Sequence, residues 1–165
     1  MTWRSVPPVL RSLARWVVIV QLVGYTTSLV LVWHTTRLVP PGIESRYRGT
    51  DPDSVAGAMR FPKSFAEMLT ITHTHLLSMV AIFVLMGIGV ALCQRVSERW
   101  KRILIVDPFV ALLVSFTAMW LMRYTDPRFS WLLEASSAVL ALTFYAQAYL
   151  ILRELRAVKG EGTGP

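Results

Sequence analysis

The chain has 165 residues, of which 54% are hydrophobic and only 16% are charged, and its formal net charge is +7. A soluble domain of this length carries about a quarter charged residues, which are spread along its sequence. Here the charges flank long apolar stretches, which excludes an ordinary soluble domain and indicates the lipid bilayer as solvent. Basic residues at such flanks are typical of membrane topology signals, so no nucleic-acid partner is predicted.

Four apolar stretches are long enough to span a bilayer, and they predict an all-α fold with four antiparallel transmembrane helices in a bundle. The first, residues 13–36, follows a basic N-terminal tail of residues 1–12 without a small-residue cleavage site, so we interpret it as an uncleaved anchor. The second, residues 64–93, begins at an S-x-x-E capping box formed by Ser64 and Glu67.

The third span lies within residues 103–124 and the fourth within residues 127–153. Two Asp-Pro pairs are typical of an N-cap followed by a proline in the first turn of a helix. We therefore expect Pro108 to open the third helix and Pro127 to open the fourth.

These spans define a transmembrane domain of residues 13–157 with one longer loop at residues 37–63. The Pro-Pro-Gly and mixed charges of this loop favour turns, and the Gly-rich tail at residues 158–165 is expected to be disordered. Lys and Arg number ten on the side of the two termini and seven on the side of the loop. This bias predicts a multi-pass protein of the bacterial inner membrane with both termini cytoplasmic and the loop periplasmic.

Ionisable side chains are concentrated in the half of the membrane region nearest this loop. Such groups are costly inside a span and usually face protein or water, so together they form the main candidate site. The residues are His34, His73, His75, Glu67, Glu134 and Arg123.

Helix geometry separates two of the histidines. At about 100° per residue, His73 and His75 lie on nearly opposite sides of the second span. His75 shares an arc with small and hydroxyl-bearing residues, so we expect this arc to face the bundle interior, as we expect for Glu134 on the fourth span. The other members of the arc are Ser64, Glu67, Thr70, Thr74, Ser78, Ala81 and Gly89.

Several functions of this cluster stay open. Imidazoles from two helices could hold haem b, with His34 paired to His73 or His75, although residue counting puts His34 about 13 Å from the midplane and the other two about 4–7 Å. One histidine could instead join His34, Glu67 or Glu134 in a divalent-metal or copper site, or serve quinone or proton chemistry. Alternatively the histidines only pack, and Glu67 only caps its helix.

Segments around the second span resemble a family of small bacterial four-helix inner-membrane proteins that carry a Y-R-G loop and an F-P-K-S-F-x-E…T-H-x-H helix. The matching residues are Tyr47-Arg48-Gly49, Phe61–Glu67, Thr72–His75 and Ser78-Met79. The resemblance covers most of the chain and implies a redox or multihaem cytochrome setting. It makes His73 and His75 the positions to test and gives no support to His34.

The chain has no G-x-S-x-G, H-E-x-x-H or glycine-rich phosphate motif, so we do not predict an enzyme acting alone. We predict a subunit of an inner-membrane complex, in electron transfer, whose candidate site contacts haem or quinone. Other membrane or periplasmic subunits would be its partners, and the basic loop could dock an acidic one. The alternatives are a non-redox scaffold or assembly factor and a small transporter or sensor.

Overall fold

The computed structural model describes residues 1–50 and 59–161, with side chains described as far as residue 158. Within these residues the elements are a 3-10 turn at Trp3–Ser5 followed by five α-helices, with no strand. The helices are α1 (Pro8–Thr36), α2 (Pro40–Arg48), α3 (Phe65–Ala91), α4 (Glu98–Tyr124) and α5 (Phe129–Glu161).

Four of the helices, α1, α3, α4 and α5, are long and apolar enough to cross a membrane, which confirms the prediction of an all-α, four-span protein. The short helix α2 lies at one end of the bundle, between α1 and α3 in the chain, and we call this the α2 end. The opposite end carries the 3-10 turn and the α3–α4 connection, and we call it the Trp3 end. Part of the tail that we expected to be disordered continues α5 to Glu161, and residues 162–165 lie outside the described residues.

The start of α3 is the helix boundary that the sequence marked best. The Ser64 hydroxyl accepts a hydrogen bond from the backbone N–H of Glu67 at 3.3 Å, and a Glu67 carboxylate oxygen accepts one from the backbone N–H of Ser64 at 2.8 Å. The capping box is therefore confirmed, because two N–H groups without intrahelical partners are satisfied reciprocally.

Helix α2 corrects the expectation of turns in the loop. Pro40 and Pro41, which we expected to lie in a turn, form the first turn of α2. Proline suits a first turn because the N–H that it lacks would have no intrahelical partner there. Residues 51–58 of the same loop lie outside the described residues.

The expectation that Pro108 opens the third span is wrong, because α4 begins at Glu98 and Pro108 is buried inside the helix. A proline within a helix leaves the carbonyl oxygen four residues earlier without its usual N–H donor. That oxygen belongs to Leu104, and the side-chain amide of Gln147 on α5 donates to it at 2.7 Å. A neighbouring helix thus supplies the missing hydrogen bond, as transmembrane helices with internal prolines require.

The second Asp-Pro pair lies closer to its expected place. Helix α5 begins at Phe129, two residues after Pro127, and a carboxylate oxygen of Asp126 accepts from the backbone N–H of Arg128 at 2.8 Å. Asp126 therefore binds the chain just before the helix, although Pro127 is not its first residue.

The core of the bundle is formed mainly by α3, α4 and α5, and α1 packs on the groove that α3 and α5 create. An aromatic layer joins three of these helices at mid-height. Tyr25 of α1 stacks on Phe144 of α5 with ring centroids 4.1 Å apart, and Phe83 of α3 meets Phe144 edge-on at 6.5 Å. Phe83 and Phe144 are fully buried.

The Trp3 end is closed by the residues that precede α1. The indole N–H of Trp3 donates to the carbonyl oxygen of Gly89 at 3.0 Å, and its backbone N–H donates to that of Leu92 at 3.1 Å. The buried Glu154 of α5 accepts from the backbone N–H of Gln94 at 3.0 Å. The segment that we expected to be a simple tail is therefore fixed against the end of α3.

Candidate functional site

The Y-R-G segment at the end of α2 has a structural role. Arg48 donates from one guanidinium nitrogen to the carbonyl oxygens of Met122 and Arg123, at 2.7 and 3.4 Å, at the C-terminal end of α4. A cation is favourable there because the last carbonyls of a helix lack partners and carry partial negative charge. Gly49 has a φ of 87°, and a Cβ atom on it would lie 2.7 Å from the carbonyl oxygen of Arg60.

Lys63 ties the start of α3 to the rest of the α2 end. Its backbone N–H donates to the carbonyl oxygen of Tyr47 at 2.9 Å, and its own carbonyl oxygen accepts from Arg123 Nε at 2.9 Å. Its ammonium group forms an ion pair with Glu67 at 2.7 Å. Glu67 and Arg123, both in our candidate cluster, therefore bind the helix start and its backbone.

The basic residues of the loop are largely engaged within the chain. Besides Arg48 and Lys63, Arg60 donates to the carbonyl oxygen of Thr35 at 3.2 Å. The ring of Tyr47 is packed away from water, and this burial raises the pKa of its hydroxyl. These contacts account for the basic residues of the loop, because they hold the α2 end of the fold together.

Thr72, the first residue of the T-H-T-H segment, also packs within the bundle. Its hydroxyl oxygen accepts from the indole N–H of Trp120 on α4 at 2.9 Å, and its own hydrogen is donated to the carbonyl oxygen of Met68 at 2.8 Å. The two histidines that follow, together with Thr74 and Ser78, are not explained by packing of this kind.

The structure does not bring the three histidines together. All three are exposed on the surface of the bundle. His34 lies sixteen residues after the buried Val18, or about 160° around α1, so it points away from the other helices. His73 is about 140° from the buried Met68 on α3 and points outward as well. Among the described residues, no three His, Cys, Asp or Glu side chains could hold one metal ion.

Most of the polar arc of α3 does not face the bundle interior, so the expectation is wrong except at two residues on one edge of the arc, Gly89, which is buried, and His75, which is exposed. Gly89 is buried, whereas Ser64, Glu67, Thr70, Thr74, His75, Ser78 and Ala81 are exposed. Several hydroxyls are satisfied by their own helix: Thr70 donates to the carbonyl oxygen of Ala66 at 2.9 Å and Ser78 to that of Thr74 at 2.8 Å. The surface that they form is turned toward lipid or toward another protein.

His75 is distinctive because it is exposed on the buried face of α3. Met68 lies seven residues before it and Met86 eleven residues after it, each within about 20° of its direction around the helix. Met68 is 0% exposed and Met86 is 1% exposed. The surface of the bundle is therefore open at His75 and closed both above and below it.

Helix α5 shows the same opening. Ser137 is exposed, yet it lies on the face of Ser130 and Phe144, which are seven residues before and after it and are both 0% exposed. On α1, every residue from Val30 to His34 is exposed before Thr36 becomes buried again. An exposed residue thus lies between two buried residues on α3 and on α5, and residues 30–34 of α1 are exposed as well.

Contacts between the helices show that these stretches lie at one level. Phe83 meets Phe144, and Gln94 meets Glu154, so a residue of α3 is level with the residue about 60 positions later in α5. Helices α1 and α5 run in opposite directions, and Arg15 of α1 contacts the carbonyl oxygen of Leu155 of α5. Residue 34, which is 19 positions after Arg15, is therefore level with residue 136, which is 19 positions before Leu155. His34 and His75 therefore lie at about the same level, which corrects the depth difference inferred from residue counting.

We call this opening between α1, α3 and α5 the lateral window; it is bordered by residues 30–33 of α1, by His75 of α3 and by Ser137 and Glu134 of α5. Its roof is formed by α2, where a Glu44 carboxylate oxygen accepts from the Ser130 hydroxyl at 2.6 Å. Its floor is the aromatic layer of Tyr25 and Phe144.

Two polar groups of the window have free hydrogen-bonding capacity. His75 Nδ1 lies 3.0 Å from the carbonyl oxygen of Ile71; since a carbonyl can only accept, Nδ1 donates, and Nε2 of the neutral ring is an acceptor. Glu134 lies on α5 about three turns nearer the α2 end than Tyr145. The hydroxyl oxygen of Tyr145 is 2.8 Å from the hydroxyl oxygen of Thr26 on α1. Oε2 of Glu134 is buried, and none of the described residues donates to it.

Comparison with known proteins bears on the fold of this chain. Residues 37–161 match the family model Aq_1264_TM, which is described as a transmembrane helical domain. The chain belongs to this family. The match confirms that the chain is a multi-pass helical membrane protein of a defined family. No curated protein and no solved structure matches the chain.

The sequence pointed to His75 and Glu134 but missed the residues that form the floor and the roof of the window. Nothing in the local sequence distinguishes the floor residues Tyr25 and Phe144, and the roof contact of Glu44 with Ser130 joins segments 86 positions apart. The available signal was the seven-residue spacing of Ser130, Ser137 and Phe144, which places a small polar residue between two core positions.

Proposed function

We propose that the protein is a subunit of a larger complex in the bacterial inner membrane, with both termini cytoplasmic, and that a partner packs on the exposed half of α3 at the α2 end. The carrying observation is the exposure of His73 and Thr74, together with Thr70 and Ser78, within an apolar span. Hydrocarbon does not solvate such groups, so they normally face protein or water. A partner subunit would cover them.

A row of small residues on the same surface supports a helix as the covering element. Ala66, Thr70, Thr74 and Ser78 recur every fourth residue and are all exposed. Small residues at this spacing let two helix backbones approach closely, which is how transmembrane helices associate when lipid offers no hydrophobic driving force. The four residues therefore fit the close contact of a second transmembrane helix.

Site-specific photo-crosslinking in cells tests this proposal. We expect a benzophenone amino acid at Thr74 to form one discrete adduct with a membrane protein, and the same residue at Leu113, which is 62% exposed on α4, to form none. Equal or absent adducts at both positions, in protein that reaches the membrane at normal levels, would contradict a partner on α3.

A redox subunit is the second candidate, and the geometry of His75 favours it. A histidine that ligates a metal usually donates its other ring N–H to a carbonyl or carboxylate, as His75 Nδ1 does to Ile71. Nε2 is then able to act as an axial ligand of haem, the group that would supply electron transfer. His34 and His73 lack this arrangement, since no described residue bonds their rings.

A reduced-minus-oxidised visible spectrum of the purified protein, expressed with excess haem, tests the redox candidate. We expect a b-type spectrum that His75→Ala abolishes and His73→Ala preserves. A flat spectrum from folded protein, together with a Thr74 adduct, would leave a non-redox scaffold or assembly factor. Ion flux that depends on pH in liposomes would instead support a small transporter or sensor.

A further inference from the structure

We infer that the lateral window binds the headgroup of a lipid-soluble hydroquinone. This inference rests on the proposed electron-transfer setting and deepens it by giving the His75 site a ligand class other than haem, because Nε2 cannot be both an axial ligand of iron and the acceptor of a hydroquinone O–H. The surface proposed for the partner helix is a neighbouring one, and it is centred on Thr74.

The shape of the window fits a ligand that arrives from the membrane. Its sides are α1, α3 and α5, it is closed by α2 above and by the aromatic layer below, and its open side faces the lipid region. From Ser130 to Phe144, which mark roof and floor on α5, the helix rises about 21 Å. A ring-sized headgroup can therefore enter sideways while its tail stays among the lipid chains.

The two hydrogen-bonding groups of the window, on His75 and Glu134, favour a ligand that donates hydrogen bonds. In a neutral His75 ring, the bond from Nδ1 to the Ile71 carbonyl leaves Nε2 as an acceptor, and Oε2 of Glu134 has no donor among the described residues. They border the same opening, from α3 and α5. A hydroquinone carries two O–H donors on opposite sides of its ring, whereas the oxidised quinone carries only acceptors and would leave both protein groups unpaired.

The floor of the window suits an aromatic ring. Tyr25 and Phe144 are stacked with an interplanar angle of 15°, and they bring α1 and α5 together directly below Ser137. A bound ring can pack against this layer in an offset or edge-on arrangement, which adds attraction beyond the burial of its area.

Titration calorimetry of the full chain in lipid nanodiscs tests the inference. The probe is a decyl-substituted 1,4-benzohydroquinone kept reduced, and the matched control ligand is its dimethyl ether, which has the same ring and tail without O–H donors. We expect the hydroquinone to bind about tenfold more tightly or better, since the ether leaves buried acceptors unpaired. This comparison uses the natural sequence and does not depend on any variant folding.

Variants then locate the site. We expect His75→Phe and Glu134→Met each to lower hydroquinone affinity about tenfold, and His73→Phe, which alters the outward-facing histidine two residues away, to leave it unchanged. Equal binding of the ether and the hydroquinone, or an equal loss in His73→Phe and His75→Phe, would overturn the inference. Neither result affects the Thr74 crosslink, so failure here is distinguishable from failure of the proposed partner contact.

Discussion

The hydrogen bond from Gln147 to the carbonyl oxygen of Leu104 should stabilise the bundle only because Pro108 is present. Replacing Gln147 by Leu leaves that buried oxygen without a donor, since residue 108 has no N–H. A buried unpaired carbonyl costs about 1–3 kcal/mol, and interhelical hydrogen bonds in membranes contribute about 0.6–1.7 kcal/mol. We therefore expect Gln147→Leu to lower the free energy of unfolding by about 1–2 kcal/mol.

A double-mutant cycle separates this role from simple packing. In the Pro108→Ala background the N–H of residue 108 can donate to Leu104 within α4, so Gln147 is no longer needed there. Because Gln147 Oε1 is itself buried without a described partner, its replacement by Leu should then cost less than about 0.5 kcal/mol. The assay is reversible unfolding in mixed micelles with increasing SDS, followed by circular dichroism. An equal loss in both backgrounds would refute the reasoning.

Two further substitutions test the α2 end by the same unfolding assay. Arg48→Gln removes the cation that caps α4 at the Met122 carbonyl and should lower the free energy of unfolding by about 1–3 kcal/mol, whereas Arg128→Gln, at an exposed side chain, should change it by less than about 0.5 kcal/mol. Gly49→Ala should destabilise by more than about 1 kcal/mol because φ is 87° and the new Cβ meets the Arg60 carbonyl, while Gly24→Ala, with open space around its Cβ in α1, should be neutral or stabilising. Comparable effects at either pair of positions would contradict the roles assigned to Arg48 and Gly49.

The features that sequence predicted well are those decided by neighbouring residues. The capping box needs only Ser64 and Glu67, three positions apart, and each apolar span is set by its own composition and length. The Asp107-Pro108 pair misled for the opposite reason. Its local chemistry is typical of a helix start, but Gln147, 43 positions from Leu104, allows the proline to lie inside α4.

The orientation of α3 could not be predicted from its pattern of small and polar residues. Such a face packs equally well against a helix of the same chain or against another protein, so periodicity alone does not choose between them. The position of His75 among buried residues was visible in its spacing from Met68 and Met86. Its exposure was not, because it depends on how α1 and α5 lie at that level.

The fixed position of Trp3 has a consequence for biogenesis. Trp3 binds carbonyl oxygens of Gly89 and Leu92, and α1 packs mainly on α5 through Tyr25 and Phe144, so the earliest part of the chain depends on segments made later. At about 5–20 residues per second, the ribosome needs several seconds to synthesise the chain between these partners. During that interval the first span must wait in the bilayer or beside the translocon, and it can join the bundle only when the last span arrives.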